Sequence, residues 1–404
     1  MNQTSSKTML VPILGLLPLI MVLGNSMFIP LLPEVQAELQ LTPVQAGLVL
    51  TVFSIPAAVM IPLIGFMSDR FGRKKMVLSS LALIMVGSLC SGIALYLHEA
   101  SFSFLLFGRL LQGIGAGGTA PLAMALVGDL FEGRDRSQAL GVLEVFNGVG
   151  KVISPILGAF IAVVFAWYGS FYFYFSLAAI TFVALLVHLR ASPLKSERRF
   201  SFKKYVSMIG SVLKREGKWI IPIFFTNGVA LFLLFGMLYF LSFELEGVYD
   251  IVGMMRGVYL AIPLLALGIV SYWTGIFVGE SVERMKQALF FGFFLIVMAF
   301  ACLIYYHQLI GLLLFLSLAA GGMGLFLPAA STAVTSSVGK EERGFIVSLY
   351  NMVRFLGVAF GPVIFSVWMV NLTQMYYWSF FLALVSIFIL TAFWSCIPFV
   401  KQCV

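Results

Sequence analysis

The sequence predicts an all-α integral membrane protein, with twelve transmembrane helices arranged as two pseudo-symmetric six-helix bundles. Of its 404 residues, 61% are hydrophobic and only 10% are charged, whereas about a quarter of the residues in soluble domains are charged. Twelve apolar segments are long enough to cross a bilayer, which takes about 20 helical residues. Several glycines and prolines of the first half also recur at a constant displacement in the second half.

The apolar segments follow one another with short connections, except at the middle of the chain. The first segment follows Lys7. It is too long for the apolar region of a secretory signal, so we expect an uncleaved first helix. In order, the predicted spans are 10–32, 43–67, 76–97, 102–127, 138–162, 169–189, 219–243, 251–278, 287–306, 309–336, 344–369 and 375–399.

Lysine and arginine are distributed very unevenly among the loops. If the N-terminus is cytoplasmic, most of the 25 basic residues fall in inner loops and tails, and the outer loops hold none. The positive-inside rule therefore predicts a multi-pass protein of the cell (plasma) membrane with both termini cytoplasmic. The net charge of +8 reflects this topology. It does not indicate a nucleic-acid partner, because the charges are spread over separate loops.

The longest predicted cytoplasmic stretch, 190–218, is basic with interspersed apolar residues. We predict a linker that lies on the inner membrane surface, partly as an amphipathic helix, with a solvated loop as the alternative. It separates a bundle at 1–189 from a bundle at 219–404. Pairs of residues displaced by 207 positions relate the two bundles: Pro121 and Pro328, Pro155 and Pro362, Gly115 and Gly322, Gly117 and Gly324, and Gly150 and Gly357. Such a repeat is typical of transporters with a central site between two halves.

A glycine-bounded basic motif, GFMSDRFGRKK at 65–75, connects the second and third spans. We expect Gly65 to let helices approach closely and Gly72 to permit a tight turn. Asp69 is expected to interact with a helix N-terminus or with a neighbouring arginine. The predicted gating loop therefore contains Gly65, Asp69, Arg70, Gly72 and Arg73.

This loop resembles the signature loop of the major facilitator superfamily, and the resemblance covers essentially the whole chain. LLFGRLLQGIGAGG at 105–118 is similar to the family's fourth-helix motif. Residues 141–159 are similar to the fifth-helix motif of its drug:proton antiporters, with Ser154 and Ala159 where glycine is usual. The resemblance implies the major facilitator fold, an export direction, and a gate latch in which Asp129 joins the Asp69 loop.

The corresponding loop of the second half, 275–286, keeps Glu280, Arg284 and Lys286 but lacks the glycine turn. We therefore do not expect a second latch of the same kind.

Small residues line one side of the fifth and eleventh predicted helices. Gly150, Ser154 and Gly158 recur at every fourth position and form a smooth stripe for close helix packing. Pro155 is expected to bend its helix or to free a carbonyl. The equivalent packing residues in helix eleven are Gly357, Gly361 and Pro362.

Three polar residues interrupt the apolar fifth helix. Glu144, Asn147 and Lys151 are offset by three and then four positions, so they share one face. A charge at the bilayer centre costs at least about 2.5 to 3.5 kcal/mol, so this face should not point at lipid. We predict that Glu144 is the principal proton carrier, and that Lys151, Asn147 and Arg109 tune its proton affinity. The alternative is a fixed structural pair of Glu144 and Lys151.

The remaining polar and aromatic positions define an expected substrate cavity. A lining rich in phenylalanine and methionine suits lipophilic compounds, but the buried bases outnumber the buried acids, so an anionic amphiphile is an equal candidate. Arg354 is expected either to pair with Glu144 or to bind an anionic substrate. Arg256 is expected at the outer rim, paired with Asp250 or Glu246. The cavity residues are Asn25, Phe28, Asn227, Phe232, Asn351 and Arg354.

These features predict a monomeric secondary transporter that exports lipophilic or amphiphilic small molecules, such as drugs, in exchange for protons. The alternative is a proton-coupled importer or exporter of one metabolite or anionic amphiphile. The predicted partners are the substrate, protons and the bilayer. We find no catalytic grouping, so no enzyme is expected, and the four cysteines and three histidines lack metal-site spacing, so no metal or cofactor is expected.

Overall fold

The computed structural model describes residues 2–94, 96–97, 101–189, 202–278, 281–306, 308–336 and 343–392. Within these residues the chain is helical throughout. The α-helices are α1 (Asn2–Ser26), α2 (Leu32–Glu38), α3 (Pro43–Phe71), α4 (Arg73–Ile93), α5 (Ser101–Leu130), α6 (Gly133–Phe165), α7 (Gly169–His188), α8 (Phe202–Gly247), α9 (Gly253–Val278), α10 (Val282–Tyr305), α11 (Leu309–Ser336), α12 (Arg343–Trp368) and α13 (Leu372–Ala392). A short 3₁₀ helix, Ile29–Leu31, joins α1 to α2.

Twelve spans are long and apolar enough to cross a membrane, which confirms the predicted number. The first, Met9–Glu38, comprises most of α1, the 3₁₀ turn and α2, so the later spans correspond to α3 through α13. Large apolar side chains cover the outside: Val187 is 69% exposed and Ile310 is 80% exposed. Water would make such a surface costly, whereas lipid makes it favourable.

The chain divides into two compact units. The first contains Met1–Arg199 together with Asp250–Val258, and the second contains Phe200–Tyr249 and Tyr259–Val404. The start of α9 therefore groups with the first unit. Of the predicted linker, 190–201 lies outside the described residues. From Phe202 to position 218 the chain is already part of α8, which continues unbroken into the seventh span.

Within the first unit, glycines bring α5 very close to two neighbouring helices. A Cβ on Gly115 would lie 2.4 Å from the carbonyl oxygen of Ser80 in α4. A Cβ on Gly117 would lie 2.6 Å from the carbonyl oxygen of Ala57 in α3. Any larger residue at either position would therefore push the backbones apart.

The second unit repeats these contacts at the positions displaced by 207 residues. A Cβ on Gly322 would lie 2.4 Å from the carbonyl oxygen of Gly292 in α10, and one on Gly324 would lie 2.9 Å from that of Leu267 in α9. The internal repeat in the sequence thus corresponds to equivalent packing positions inside each unit.

Candidate functional site

The predicted gating loop forms a tight junction between α3 and α4. Gly72 has a φ of 91°, which favours glycine, and its N–H donates to the carbonyl oxygen of Ser68 at 2.9 Å. Arg73 begins α4 directly after this turn. Its Nε lies 2.8 Å from Oδ2 of Asp129 at the end of α5, and its Nη2 lies 3.8 Å from Oδ1 of Asp69. Arg73 therefore joins both carboxylates, and Asp129 is the closer partner.

Two other residues of the loop are placed differently from the sequence expectation. The Arg70 guanidinium lies over the Phe71 ring, with 5.7 Å between Cζ and the ring centroid. Among the described residues, no heavy atom of a neighbour lies within 4 Å of the position that a Cβ on Gly65 would occupy. The close helix approach expected at Gly65 is therefore absent from the described structure.

Lys74, which the sequence reasoning missed, extends the junction to α7. Its Nζ donates to the carbonyl oxygen of Leu186 at 3.0 Å and also to that of Leu189. The last carbonyls of a helix lack intrahelical partners, and a cation there also interacts favourably with the helix dipole. The motif thus holds the end of α7 as well as the end of α5.

We expect Asp129→Asn to slow transport several-fold, and more than Asp69→Asn, because Asp129 makes the shorter contact with Arg73. Protein yield and thermal unfolding should change little, since exposed ion pairs contribute about 0 to 1 kcal/mol. Initial transport rates in vesicles check the order, with Glu132→Gln, which removes an exposed carboxylate outside the loop, as the control. Wild-type rates in both aspartate variants would remove the latch role from this junction.

The structure describes only part of the corresponding loop of the second half, 275–286. Glu280 lies outside the described residues. Arg284 donates through Nη1 to the carbonyl oxygen of Phe277 at 3.0 Å, and its guanidinium lies over that ring. Lys286 is half-buried in the second turn of α10.

Arg109 is completely buried inside the first unit, with 0% of its surface exposed. Its Nε donates to the carbonyl oxygen of Val49 at 2.9 Å, and its Nη1 donates to Oε1 of Gln112 at 2.7 Å. The guanidinium also lies between two rings, 4.6 Å from the centroid of Phe28 and 4.4 Å from that of Phe53. This environment stabilises a buried cation through hydrogen bonds and cation–π contacts.

The expected polar face of α6 is present, but its members are not joined to Arg109. Glu144 is exposed and has neither an ion pair nor a hydrogen bond with any described residue. Asn147 and Lys151 are half-buried, and Oδ1 of Asn147 has no described hydrogen-bond partner. The structure therefore shows neither a direct contact between Arg109 and Glu144 nor a fixed Glu144–Lys151 pair.

The small residues of α6 lie against α1 and its extension. A Cβ on Gly150 would lie 2.8 Å from Cδ1 of Leu19, and one on Gly158 would lie 2.0 Å from the carbonyl oxygen of Met27. The Ser154 hydroxyl donates to the carbonyl oxygen of Gly150 in its own helix. Pro155 is buried, and its carbonyl oxygen faces the first turns of α9.

The start of α9 is anchored to the first unit by a buried ion pair. Nη2 of Arg256 lies 2.6 Å from Oε1 of Glu34 in α2, and the Arg256 side chain is 1% exposed. One residue later, a Cβ on Gly257 would lie 2.5 Å from the carbonyl oxygen of Pro155. Arg256 lies in the first turn of α9, and Glu34 was not among its expected partners. No local pattern indicates a partner 222 residues away.

In the second unit, α8 and α12 make a close glycine interface. A Cβ on Gly357 would lie 2.2 Å from the carbonyl oxygen of Gly228, and one on Gly361 would lie 2.7 Å from that of Phe232. Phe232 packs its ring against Trp368 at a centroid distance of 5.7 Å. Pro362 follows the contact inside α12.

The remaining cavity residues of this unit gather around Tyr350, which sequence reasoning did not select. The Tyr350 hydroxyl donates to Oδ1 of Asn227 at 3.2 Å. The Arg354 guanidinium lies 5.9 Å from the centroid of the Tyr350 ring. Asn351 is half-buried beside them in α12. The four-residue spacing of Tyr350 and Arg354 on one helix is the signal that could have identified the tyrosine.

The cavity residues of α1 lie in the interior of the first unit. Asn25 is buried, and neither of its amide atoms has a described hydrogen-bond partner. Phe28 packs between Arg109 and Phe171, with 4.5 Å between the two ring centroids. Phe28 is almost completely buried between these groups.

Comparisons with known proteins agree with this architecture. A sequence model of the Major Facilitator Superfamily matches residues 14–362 and 268–401. The Bacillibactin exporter of Bacillus subtilis (strain 168) is 39% identical over 380 residues, which cover 93% of this chain and 94% of that protein. The Multidrug transporter protein MdtP of the same organism is 24% identical over 365 residues, covering 77% of this chain and 66% of the relative.

Solved structures share the fold at low sequence identity. A D-xylose-proton symporter superposes with a TM-score of 0.76 at 16% identity and covers 99% of both chains. The human organic anion transporter MFSD10 (TETRAN) superposes with a TM-score of 0.70 at 20% identity, covering 94% of this chain and 98% of that one. The twelve spans, the glycine-based packing and the sequence match lead to one conclusion: this chain belongs to the Major Facilitator Superfamily of membrane transporters.

Proposed function

We propose that this transporter exports an amphiphilic small molecule across the plasma membrane by alternating access, in exchange for protons. Its relative named Bacillibactin exporter supports the export direction, since it matches nearly the full length of both chains. Bacillibactin, or a molecule with similar chemistry, is accordingly our first candidate cargo.

The observation that supports proton coupling is a carboxylate, Glu144, that lies within a transmembrane span and has no described partner. It lies six positions after 138, where the predicted fifth span begins, which is about 9 Å along the helix axis. A carboxylate at that depth is costly as a permanent charge and is a functional group by default. Glu144 has no ion pair or hydrogen bond with a described residue, so no described contact commits its carboxylate to a structural role.

The neighbouring groups support this role for Glu144. Asn147 and Lys151 lie on the same face of α6 and supply a hydrogen-bonding amide and a positive charge. Arg109 acts at longer range, as a buried cation that its aromatic and carbonyl partners hold in place. We assign Glu144 the role of proton carrier, and the other three residues the role of setting its proton affinity.

Export of several lipophilic drugs is the second candidate function. The multidrug transporter named above favours it, as do the phenylalanine-rich helices of both units. The two candidates differ in substrate range: a dedicated exporter moves one cargo and its close analogues, whereas a drug exporter also moves unrelated lipophilic dyes.

Everted membrane vesicles distinguish these functions. Vesicles with and without the protein are made acidic inside and supplied with bacillibactin or with the cationic dye ethidium. We expect gradient-driven accumulation of bacillibactin only in vesicles that contain the protein, and its loss when a protonophore collapses the gradient. Accumulation of ethidium instead would establish the drug exporter. Cargo accumulation that stays the same when the protonophore is added would contradict proton coupling.

A further inference from the structure

A half-buried charge lies well inside the second unit, on α12. Arg354 lies eleven positions after Arg343, the first residue of that helix, and hence about 16 Å along its axis. Among the described residues it has no ion pair and no hydrogen bond, and its guanidinium lies over the Tyr350 ring. A guanidinium at this depth needs an anion, water or a carbonyl to offset the cost of burial.

The Tyr350 cluster, which we define as Phe224, Asn227, Tyr350 and Arg354, surrounds this charge. The Phe224 and Tyr350 rings pack with 5.7 Å between their centroids. The Tyr350 hydroxyl donates to Asn227 and also lies 3.5 Å from the carbonyl oxygen of Leu327 in α11. Three helices of the unit therefore hold the tyrosine in one orientation, so the Arg354 guanidinium rests on a rigid aromatic surface.

Two residues of the cluster have N–H donors without a described partner. Oδ1 of Asn227 accepts the hydrogen bond from the Tyr350 hydroxyl, which leaves the Nδ2 group of the amide as its donor. That nitrogen is buried and has no described hydrogen-bond partner. Arg354 likewise offers only N–H groups. An anionic oxygen is the acceptor that best matches the N–H groups of Arg354.

The shape of an arginine stacked on a ring adds a further constraint. A guanidinium that lies over an aromatic face keeps its N–H groups in the plane, where they bind a carboxylate or phenolate with two parallel hydrogen bonds. The Phe224 and Tyr350 rings are themselves buried, with 7% and 1% of their surfaces exposed. Arg354 is only half-buried, so it is the member of the cluster that a ligand reaches first.

The geometry points to a subsite in the second unit that binds an anionic group of the cargo, with Arg354 holding the anionic oxygen. Tyr350 is the surface on which the guanidinium lies, and Asn227 fixes the tyrosine. This inference rests on the proposed transport function for its biological meaning, but the subsite itself is a property of the second unit. It narrows the cargo from amphiphiles in general to anionic ones.

Three naphthalene probes of similar size test the charge preference: 2-naphthoate, 2-naphthamide and 2-naphthylmethylammonium. Their binding to the purified full-length protein in zwitterionic lipid nanodiscs is measured by calorimetry. A hydrogen bond to a charged group contributes about 1.5 to 3 kcal/mol, so we expect wild type to prefer naphthoate to naphthamide by about ten- to a hundredfold. The ammonium probe should bind most weakly.

Variants of the cluster separate the subsite from general hydrophobic binding. Arg354→Gln should remove the preference for naphthoate and leave the affinity for naphthamide unchanged. Tyr350→Phe keeps the ring but loses the hydroxyl that orients Asn227, so it should weaken naphthoate several-fold. Arg284→Gln is the matched control, because Arg284 also lies over a ring, that of Phe277, but outside the cluster. It should bind all three probes as wild type does.

The outcomes also separate this inference from the proposed function. A retained naphthoate preference in Arg354→Gln, or no preference in wild type, would overturn the subsite, even if vesicles still export cargo in exchange for protons. If Arg354→Gln does not fold, Arg354→Lys keeps the charge without the planar fork, and an unreduced preference there would also overturn it. Charge-selective binding without any vesicle transport would support the subsite and remove the exporter assignment.

Discussion

Replacing Glu144 by glutamine should reduce gradient-driven cargo accumulation to the level of vesicles that lack the protein. Glutamine keeps the size and hydrogen-bonding capacity of the side chain but cannot exchange a proton. Exchange of labelled for unlabelled cargo in the absence of a gradient should continue, because that process needs alternating access but no proton release. Measuring both modes in the same vesicles checks the prediction and shows whether the variant is folded.

The matched control is Glu283→Gln, which removes an exposed carboxylate in the first turn of α10. It should leave both transport modes unchanged. If the Glu144 variant accumulates cargo as wild type does, Glu144 is not the proton carrier. Loss of both modes with normal thermal unfolding would instead assign Glu144 to cargo binding or to gating.

Replacing Gly158 by alanine should destabilise the first unit by about 1 to 3 kcal/mol, the usual cost of overpacking. The added Cβ would lie 2.0 Å from the backbone carbonyl oxygen of Met27, and a backbone atom cannot rotate away as a side chain can. The two segments must therefore separate, which loosens the contact of α6 with the end of α1. Thermal unfolding in detergent measures the loss.

Gly148→Ala in the same helix is the control. No neighbouring heavy atom lies within 4 Å of its added Cβ, and alanine favours a helix by up to about 1 kcal/mol over glycine. This variant should unfold at or above the wild-type temperature. Equal unfolding of the two variants would contradict the close contact at Gly158.

The fold was predictable because its main determinant is local. Each span needs only its own run of apolar residues. The predicted spans that begin at 43, 169 and 309 start at the same residues as the helices, Pro43, Gly169 and Leu309. The internal repeat was also readable, because close helix contacts demand glycine at fixed places such as Gly115 and Gly322. The unbroken continuation of α8 from Phe202 into the seventh span was not, since the basic composition of 202–218 indicates exposure and says little about helix continuity.

The site could be predicted only where its residues lie close together in the sequence, on one helix or in one motif. The polar face of α6 follows from helical spacing, and the turn at Gly72 follows from the motif. Contacts across helices depend on three-dimensional packing that no spacing reports, as with Arg256 and Glu34, or Lys74 and the end of α7. Tyr350 was overlooked because a tyrosine in an apolar helix looks like ordinary packing until its ring is seen beneath Arg354.

The central claim is that cargo leaves in exchange for protons. Its most direct test uses proteoliposomes that are acidic inside and contain a pH-sensitive dye, with the cargo identified by the vesicle assay added outside. We predict that the interior becomes more alkaline as cargo enters, in proportion to the amount transported, and that Glu144→Gln abolishes this change. Cargo uptake by wild type with no change in internal pH would contradict the account.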